Sequence, residues 1–289
     1  MRRESGGRSS RGWKIVCAVL LVAAMGCAAV ACARSNQQDE QEEAFERLAQ
    51  ETNTKVDIPS VEITPTPGPS AEPTEAPPEK KDSREILQEL GIPIPEKEVD
   101  FEDLRENVNA DIYAWIYIPD TMIDYPVLQH PTDNTYYLNY NLDGSKGYPG
   151  CIYTEDYNTK DFSDPNTVVY GHNMKNGSMF AGLHKYGDSK FMEEHPYVYI
   201  YTEDALYAYE VFAAYEHTNE HILYAHNNFS SKALFKTYLD EIMLIRDMGS
   251  VIKEDVEYTE DSRILTLSTC ISVKPNNRYL VQGVLLNGE

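Results

Sequence analysis

Apolar and polar positions change their rhythm along this chain. Between residues 114 and 286 they form eight short runs rich in Val, Ile, Tyr and Thr: "AWIYIP", "IDYPVLQ", "GCIYTE", "NTVVYGHN", "YVYIYT", "ALYAYEVFAAYE", "RILTLSTC" and "NRYLVQGVLL". Several alternate with period two, and turn residues separate them, which predicts strands. Two stretches keep a helical period instead. "GSMFAGLHKYG" is short. "SSKALFKTYLDEIMLIRDM", from Ser230 to Met248, repeats Leu234, Phe235, Tyr238, Leu239, Ile242 and Ile245 at three and four. Upstream, "SREILQELG" reads as a short helix closed by Gly91, and "DFEDLRENVNAD" as a second with Asp100 at its N-cap. Eight strands with few helices predict a mainly β fold, a closed or nearly closed barrel that leaves no sheet edge bare.

The first eighty residues follow other rules. "IVCAVLLVAAMGCAAVACA", Ile15 to Ala33, is unbroken by charge and follows Arg2, Arg3, Arg8, Arg11 and Lys14. Such a run is long enough for a bilayer core, and the basic flank sets its direction. The expectation is a cytoplasmic head over residues 1–14 and a transmembrane signal-anchor over 15–33. That anchor would give a single-pass protein of the cell membrane with the body of the chain extracellular. A cleaved signal peptide at Ala29-Val30-Ala31 and a lipid-modified Cys32 are the alternatives. Residues 34–81 read as an acidic, then Pro-rich stalk; "IPSVEITPTPGPSAEPTEAPPEK" holds seven of the sixteen prolines and favours extended polyproline geometry. Residues 82–289 remain for the folded domain.

The formal net charge is -22, with 47 acidic against 25 basic residues. That excludes a nucleic-acid partner, whose phosphates need a basic surface. Of the five cysteines, Cys17, Cys27 and Cys32 lie in the apolar run, and only Cys151 and Cys270 lie beyond it. They could pair in an exported protein. No Cys-x-x-Cys pair frames a zinc site, and no cofactor is expected.

Cys270 ends an apolar strand. A thiol there becomes a nucleophile once it is a thiolate, and it then needs a proton-handling partner and a donor for the oxyanion. Among seven histidines, His172 stands at a comparable strand end, in "NTVVYGHNM". His217 and His221, four apart, invite a metal, but no accompanying signature supports one. Arg278 opens the last strand, eight residues after Cys270 across "ISVKPNN", so the two strands are expected as neighbours with Arg278 near the thiol. Arginine stays protonated and donates bidentately.

Taken together, "TLSTC", "YGHNM" followed by "GSMF", "AWIYIPDTMIDYPVLQ", "DNTYYL" and the long helix before the cysteine strand resemble the sortases, specifically class B, over roughly residues 85–289. The resemblance implies an eight-stranded sortase-type barrel with N-terminal helices, and a cysteine transpeptidase. Cys270 would attack the carbonyl after a threonine in the sorting motif of a surface protein. His172 would be general acid and then base, and Arg278 would hold the oxyanion. The acceptor would be an amine of a peptidoglycan precursor or a pilin. The resemblance also implies groove positions at Tyr170, Ser268, Asn134 and Leu138. It places Cys151 on a strand away from the nucleophile. Further contacts in "EHTNEHILYAHNN" are not assigned, and Ile271 stands where relatives often carry a polar residue. A cysteine endopeptidase using water at the same site, and a non-catalytic binding module, are the rival readings.

Overall fold

A computed structural model of the protein describes residues 10–53 and 81–288. The Pro-rich part of the expected stalk, residues 54–80, lies outside the described residues, as do residues 1–9 and 289 of the expected head and domain.

The strands are β1 (Ile112–Tyr117), β2 (Asp124–Leu128), β3 (Ile152–Thr154), β4 (Asn166–Tyr170), β5 (Tyr197–Tyr201), β6 (Leu206–Thr218), β7 (Val251–Ile252), β8 (Ile264–Ile271) and β9 (Lys274–Leu285). Eight of them follow the order β5-β1-β2-β3-β4-β8-β9-β6, and β6 pairs back onto β5 to close a barrel. All eight were expected from the alternating runs. The ninth, β7, is a two-residue addition to the edge of β6, too short to leave a pattern. Closure depends on β6. Its first half pairs with β5 and its second with β9, and the ladder to β9 slips between Val211 and Ala213.

Period two divides each strand between two cores. On β8, Leu265 and Leu267 point into the barrel with Trp115, Ile152, Val169 and Val281, whereas Ile264 joins an outer cluster. That outer cluster is covered by α7 (Lys232–Met243), which buries Phe235, Tyr238, Leu239 and Ile242 against Val168, Phe212, Leu280 and Val284. The helical period of this segment foretold these four; of the other two expected on the face, Leu234 is exposed and Ile245 lies beyond the end of the helix. Of the expected N-terminal helices, α2 (Ser83–Glu89) ends before Gly91 at φ 71°. In α3 (Phe101–Asn107), the Asp100 side chain accepts from the Asp103 N–H at 2.9 Å. "GSMFAGLHKYG" forms a 3-10 turn over Phe180–Gly187. Three short helices complete the fold: α4 (Tyr136–Asn139), α5 (Ser189–Glu194) and α6 (Ile222–Ala225).

The transmembrane expectation is corrected. Among the described residues no helix is long and apolar enough to cross a membrane. The apolar run is one stretch of α1 (Ser10–Thr52), which does not stop at Ala33 but continues through Asp39, Glu40, Glu42, Glu43, Glu46 and Arg47. Its later turns lie on the barrel, where Phe45 is buried and meets the Tyr125 ring edge-on at 5.4 Å. Gln41 donates to Asp143 at 3.0 Å, and the buried Lys97 ammonium joins Thr52 to Asp124. The single-pass membrane location, the extracellular placing and the membrane partner that rested on that span are therefore withdrawn.

Candidate active site

The alternation that divides the cores also builds the site. Tyr153 and Glu155 lie along β3 and its extension, Tyr170 and His172 along β4, Ser268 and Cys270 on β8, and Arg278 and Leu280 on β9. These strands are adjacent, and each pair is two positions apart, so each presents both side chains on one face. Together they floor a cleft of about 230 Å³ on the outside of the barrel. One wall is Thr135 and Leu138 of the α4 segment; the other is residues 217–222, leading into α6.

Cys270 and Arg278 are direct partners in the β8–β9 ladder. The short connection "ISVKPNN" forces this antiparallel pairing, and opposite residues of such a pair stand on the same face. Cys270 is a free, half-buried thiol. The Arg278 guanidinium donates through Nη1 to the carbonyls of Pro275 and Asn277, at 3.2 and 3.1 Å, which holds it against its own turn.

His172 arrives from the other side. β4 runs parallel to β8 with Tyr170 opposite Ser268, so the residue two beyond each comes to the same level. The Gly171 N–H donates to the Ser268 carbonyl at 3.2 Å, and the Thr269 hydroxyl donates to the Gly171 carbonyl at 2.8 Å. A β-carbon at Gly171 would stand 2.5 Å from Ile152 Cδ1 and 2.7 Å from the Phe180 ring, so only glycine lets the chain pass there. The His172 ring donates Nε2–H to the Leu138 carbonyl at 2.7 Å, and Tyr148 meets it edge-on at 5.1 Å. Burial pushes the imidazole below its ordinary pKa, and the bond to Leu138 opposes that shift.

Of the expected groove residues, Tyr170, Ser268 and Leu138 line the cleft. Asn134 stands outside that lining. Its amide both donates to the Asp156 carboxylate at 2.6 Å and accepts the Asp156 N–H at 2.9 Å. It thus braces the end of β3 against α4. The structure also brings in Glu155, which was not singled out, and makes it the partner of His221. Glu155 is buried, accepts from His221 Nε2 at 2.6 Å and from the Tyr170 hydroxyl at 3.2 Å, and so joins the two sides of the cleft. Burial pushes its carboxyl up from the usual range, against the pull of His221. His221 also caps α6, its Nδ1 accepting the Tyr224 N–H at 3.2 Å. Both its nitrogens therefore have protein partners. The pairing joins positions 66 residues apart, and no local spacing announces it.

Cys151 is wholly buried, with its thiol 3.5 Å from the Tyr140 carbonyl, and neither it nor Cys270 is in a disulfide. Among the described residues no group of three or more His, Cys, Asp or Glu could hold a metal ion.

These features have counterparts in known proteins. A family model described as the sortase domain matches residues 116–286. The chain is 39% identical over 189 residues to sortase B of Listeria monocytogenes, covering 64% of this chain and 74% of that one. To sortase B of Staphylococcus aureus it is 34% identical over 170 residues, covering 59% and 67%. Among solved structures, a Staphylococcus aureus sortase B–substrate complex superposes with a TM-score of 0.61 at 27% identity, over 86% of this chain and 98% of that one. Sortase B of Clostridium perfringens does so with a TM-score of 0.57 at 33% identity, over 65% and 100%. A barrel closed in this strand order, a family match over more than half of the chain and sortase B relatives at this identity make the chain a member of the sortase family, of class B, and thereby a cysteine transpeptidase.

Proposed function

We propose that this cleft cuts the C-terminal sorting motif of surface proteins after a threonine and passes the acyl group to a cell-wall amine, with residues 82–289 as the catalytic domain. The observation that carries the reading is the convergence of Cys270, Arg278 and His172 on one cleft from three strand ends. The Cys270 thiolate adds to the threonine carbonyl carbon. The electron pair moves onto oxygen, where the Arg278 guanidinium stabilises it. His172 gives a proton to the leaving amine, the C–N bond breaks and a thioester remains. The incoming amine attacks that thioester, His172 takes its proton, and Cys270 leaves as thiolate. Since Nε2–H is held by Leu138, Nδ1 carries this proton traffic. Tyr170, Ser268 and Leu138 shape the donor side of the groove, and Asn134 supports it through Asp156. A substrate complex among the structural neighbours supports peptide binding in a cleft of this kind. The acceptor is an amine of a peptidoglycan precursor or a pilin.

The test is cleavage of a peptide library, with product analysis in the presence and absence of an added glycine-type amine. An amine adduct formed at the new threonine carboxyl end is expected. Exclusive release of the free acid at every amine concentration would sink the transfer step and leave a cysteine endopeptidase.

A further inference from the structure

Asn173 follows the proposed base directly, yet its side chain serves the nucleophile. Its Nδ2 donates to the Cys270 carbonyl at 2.9 Å and lies 3.0 Å from His184 Nε2, with Ser272 Oγ more distant at 3.4 Å. A backbone carbonyl only accepts, so it is the nitrogen end of the amide that must face Cys270. His184 Nε2 itself stands 3.3 Å from the same Cys270 carbonyl, so the carbonyl meets two side chains, Asn173 at the shorter distance, and the His184 tautomer decides whether its Nε2 donates there or accepts from Asn173. The His184 ring in turn lies against Tyr279 at 4.6 Å, the residue after Arg278.

The place matters. The β8–β9 register slips between Cys270 and Ile271, so regular pairing is interrupted at the proposed nucleophile and continues only as the single pair Ile271 and Lys274. At a slip the ladder is locally disrupted and holds the peptide plane less firmly. Asn173 meets the carbonyl of that peptide from the neighbouring strand. The backbone of its own segment is held independently, by Phe180 N–H to the His172 carbonyl at 2.9 Å and by the Asn173–Met179 bridge. The Asn173 side chain thus ties the segment of the proposed base to the peptide that carries the thiol, with the His184 ring beside it.

We infer that Asn173 is a positioning residue of the transpeptidase. Its amide fixes the Cys270 peptide where the ladder holds it less firmly, and so aims Sγ at the carbon that His172 and Arg278 attend. The inference rests on the proposed roles of Cys270 and His172, and misplacing a reacting atom by about 1 Å can cost on the order of 10²-fold in rate.

Two substitutions separate donor from shape. Asn173→Ala removes the amide; Asn173→Asp keeps its outline but puts a carboxylate oxygen where the donor stood. Both variants are expected to lose about tenfold to 10²-fold in kcat, with KM for the donor peptide and Tm held near wild type. If Asn173→Asp turns over at the wild-type rate, the side chain only fills space and the inference falls. It falls equally if the kcat of Asn173→Ala drops only in step with its Tm. A second readout needs no substrate: alkylation of Cys270 by iodoacetamide in the full chain, followed by peptide mass spectrometry across pH. Displacement of that profile in Asn173→Ala supports the inference, and superposable profiles overturn it. Should the wild-type chain show no Cys270-dependent acyl transfer, the proposed function fails instead, and the alkylation profile still decides the part played by Asn173.

Discussion

Cys151 and Cys270 are the same side chain in two opposite settings of one barrel. Cys151 precedes β3, is fully buried, and burial with nearby Asp143 pushes its thiol well above the ordinary range. It behaves as a small apolar residue. Cys270 lies near the end of β8, half-buried in a cleft, opposite a guanidinium and level with an imidazole. Neither position is remarkable as a strand terminus. What separates them is the company supplied by neighbouring strands: core on one side, proton and anion chemistry on the other. The proposed reactivity of Cys270 thus rests on its neighbours across the sheet, and the contrast can be tested directly.

The largest effect is expected at the proposed nucleophile, Cys270. Cys270→Ala should abolish acyl transfer, read as loss of amine adduct from a cleaved peptide, while its Tm stays near wild type. Activity surviving in that variant would exchange the roles of the two cysteines.

Next comes the group across the ladder. Arg278→Lys keeps a positive charge and loses the planar fork. It should cost about 10²–10³-fold in acylation rate if Arg278 acts as an oxyanion donor. Single-turnover thioester formation is the measurement. A wild-type rate would mean that the guanidinium stays on the carbonyls of Pro275 and Asn277 and never reaches the substrate.

Cys151→Ala should leave acyl transfer intact and lower stability by about 1 kcal/mol, as expected for deleting one buried atom from a packed core. For a domain of this size that is a fall of about 2–4 °C in Tm. Iodoacetamide should label Cys270 in the native chain and label Cys151 only after denaturation.

The smallest effect concerns His172. Burial disfavours the imidazolium, so the folded ring should titrate below the unperturbed value of about 6.5. The sign follows: unfolding frees the ring to bind a proton more tightly, so this group withdraws stability as pH falls through that value and is neutral above it. Tyr148, 61% exposed and edge-on to the ring, is one of its covers. Tyr148→Ala should return the titration upward, followed by NMR of the ring protons. An unchanged titration would show that Tyr148 does not desolvate the ring.

The sequence by itself determined much of this molecule. Alternation drew all eight barrel strands, and the three- and four-residue spacing drew the buried face of α7, because both patterns are local consequences of which face must leave water. A seven-residue connection made Cys270 and Arg278 neighbours, since so short a link between two strands enforces an antiparallel pair. "TLSTC" and "YGHNM" carried the family. The sequence misled where an apolar run was taken by itself: Ile15–Ala33 satisfies a length rule, but the helix continues into charged turns that pack on the barrel. Only the tertiary structure decided the rest. The Glu155–His221 pair, the Asn134–Asp156 brace and the Asn173 hold on Cys270 join positions 66, 22 and 97 residues apart. Each is one or two polar contacts between surfaces that pack for other reasons. Such contacts leave no period in the chain, because nothing local repeats to build them.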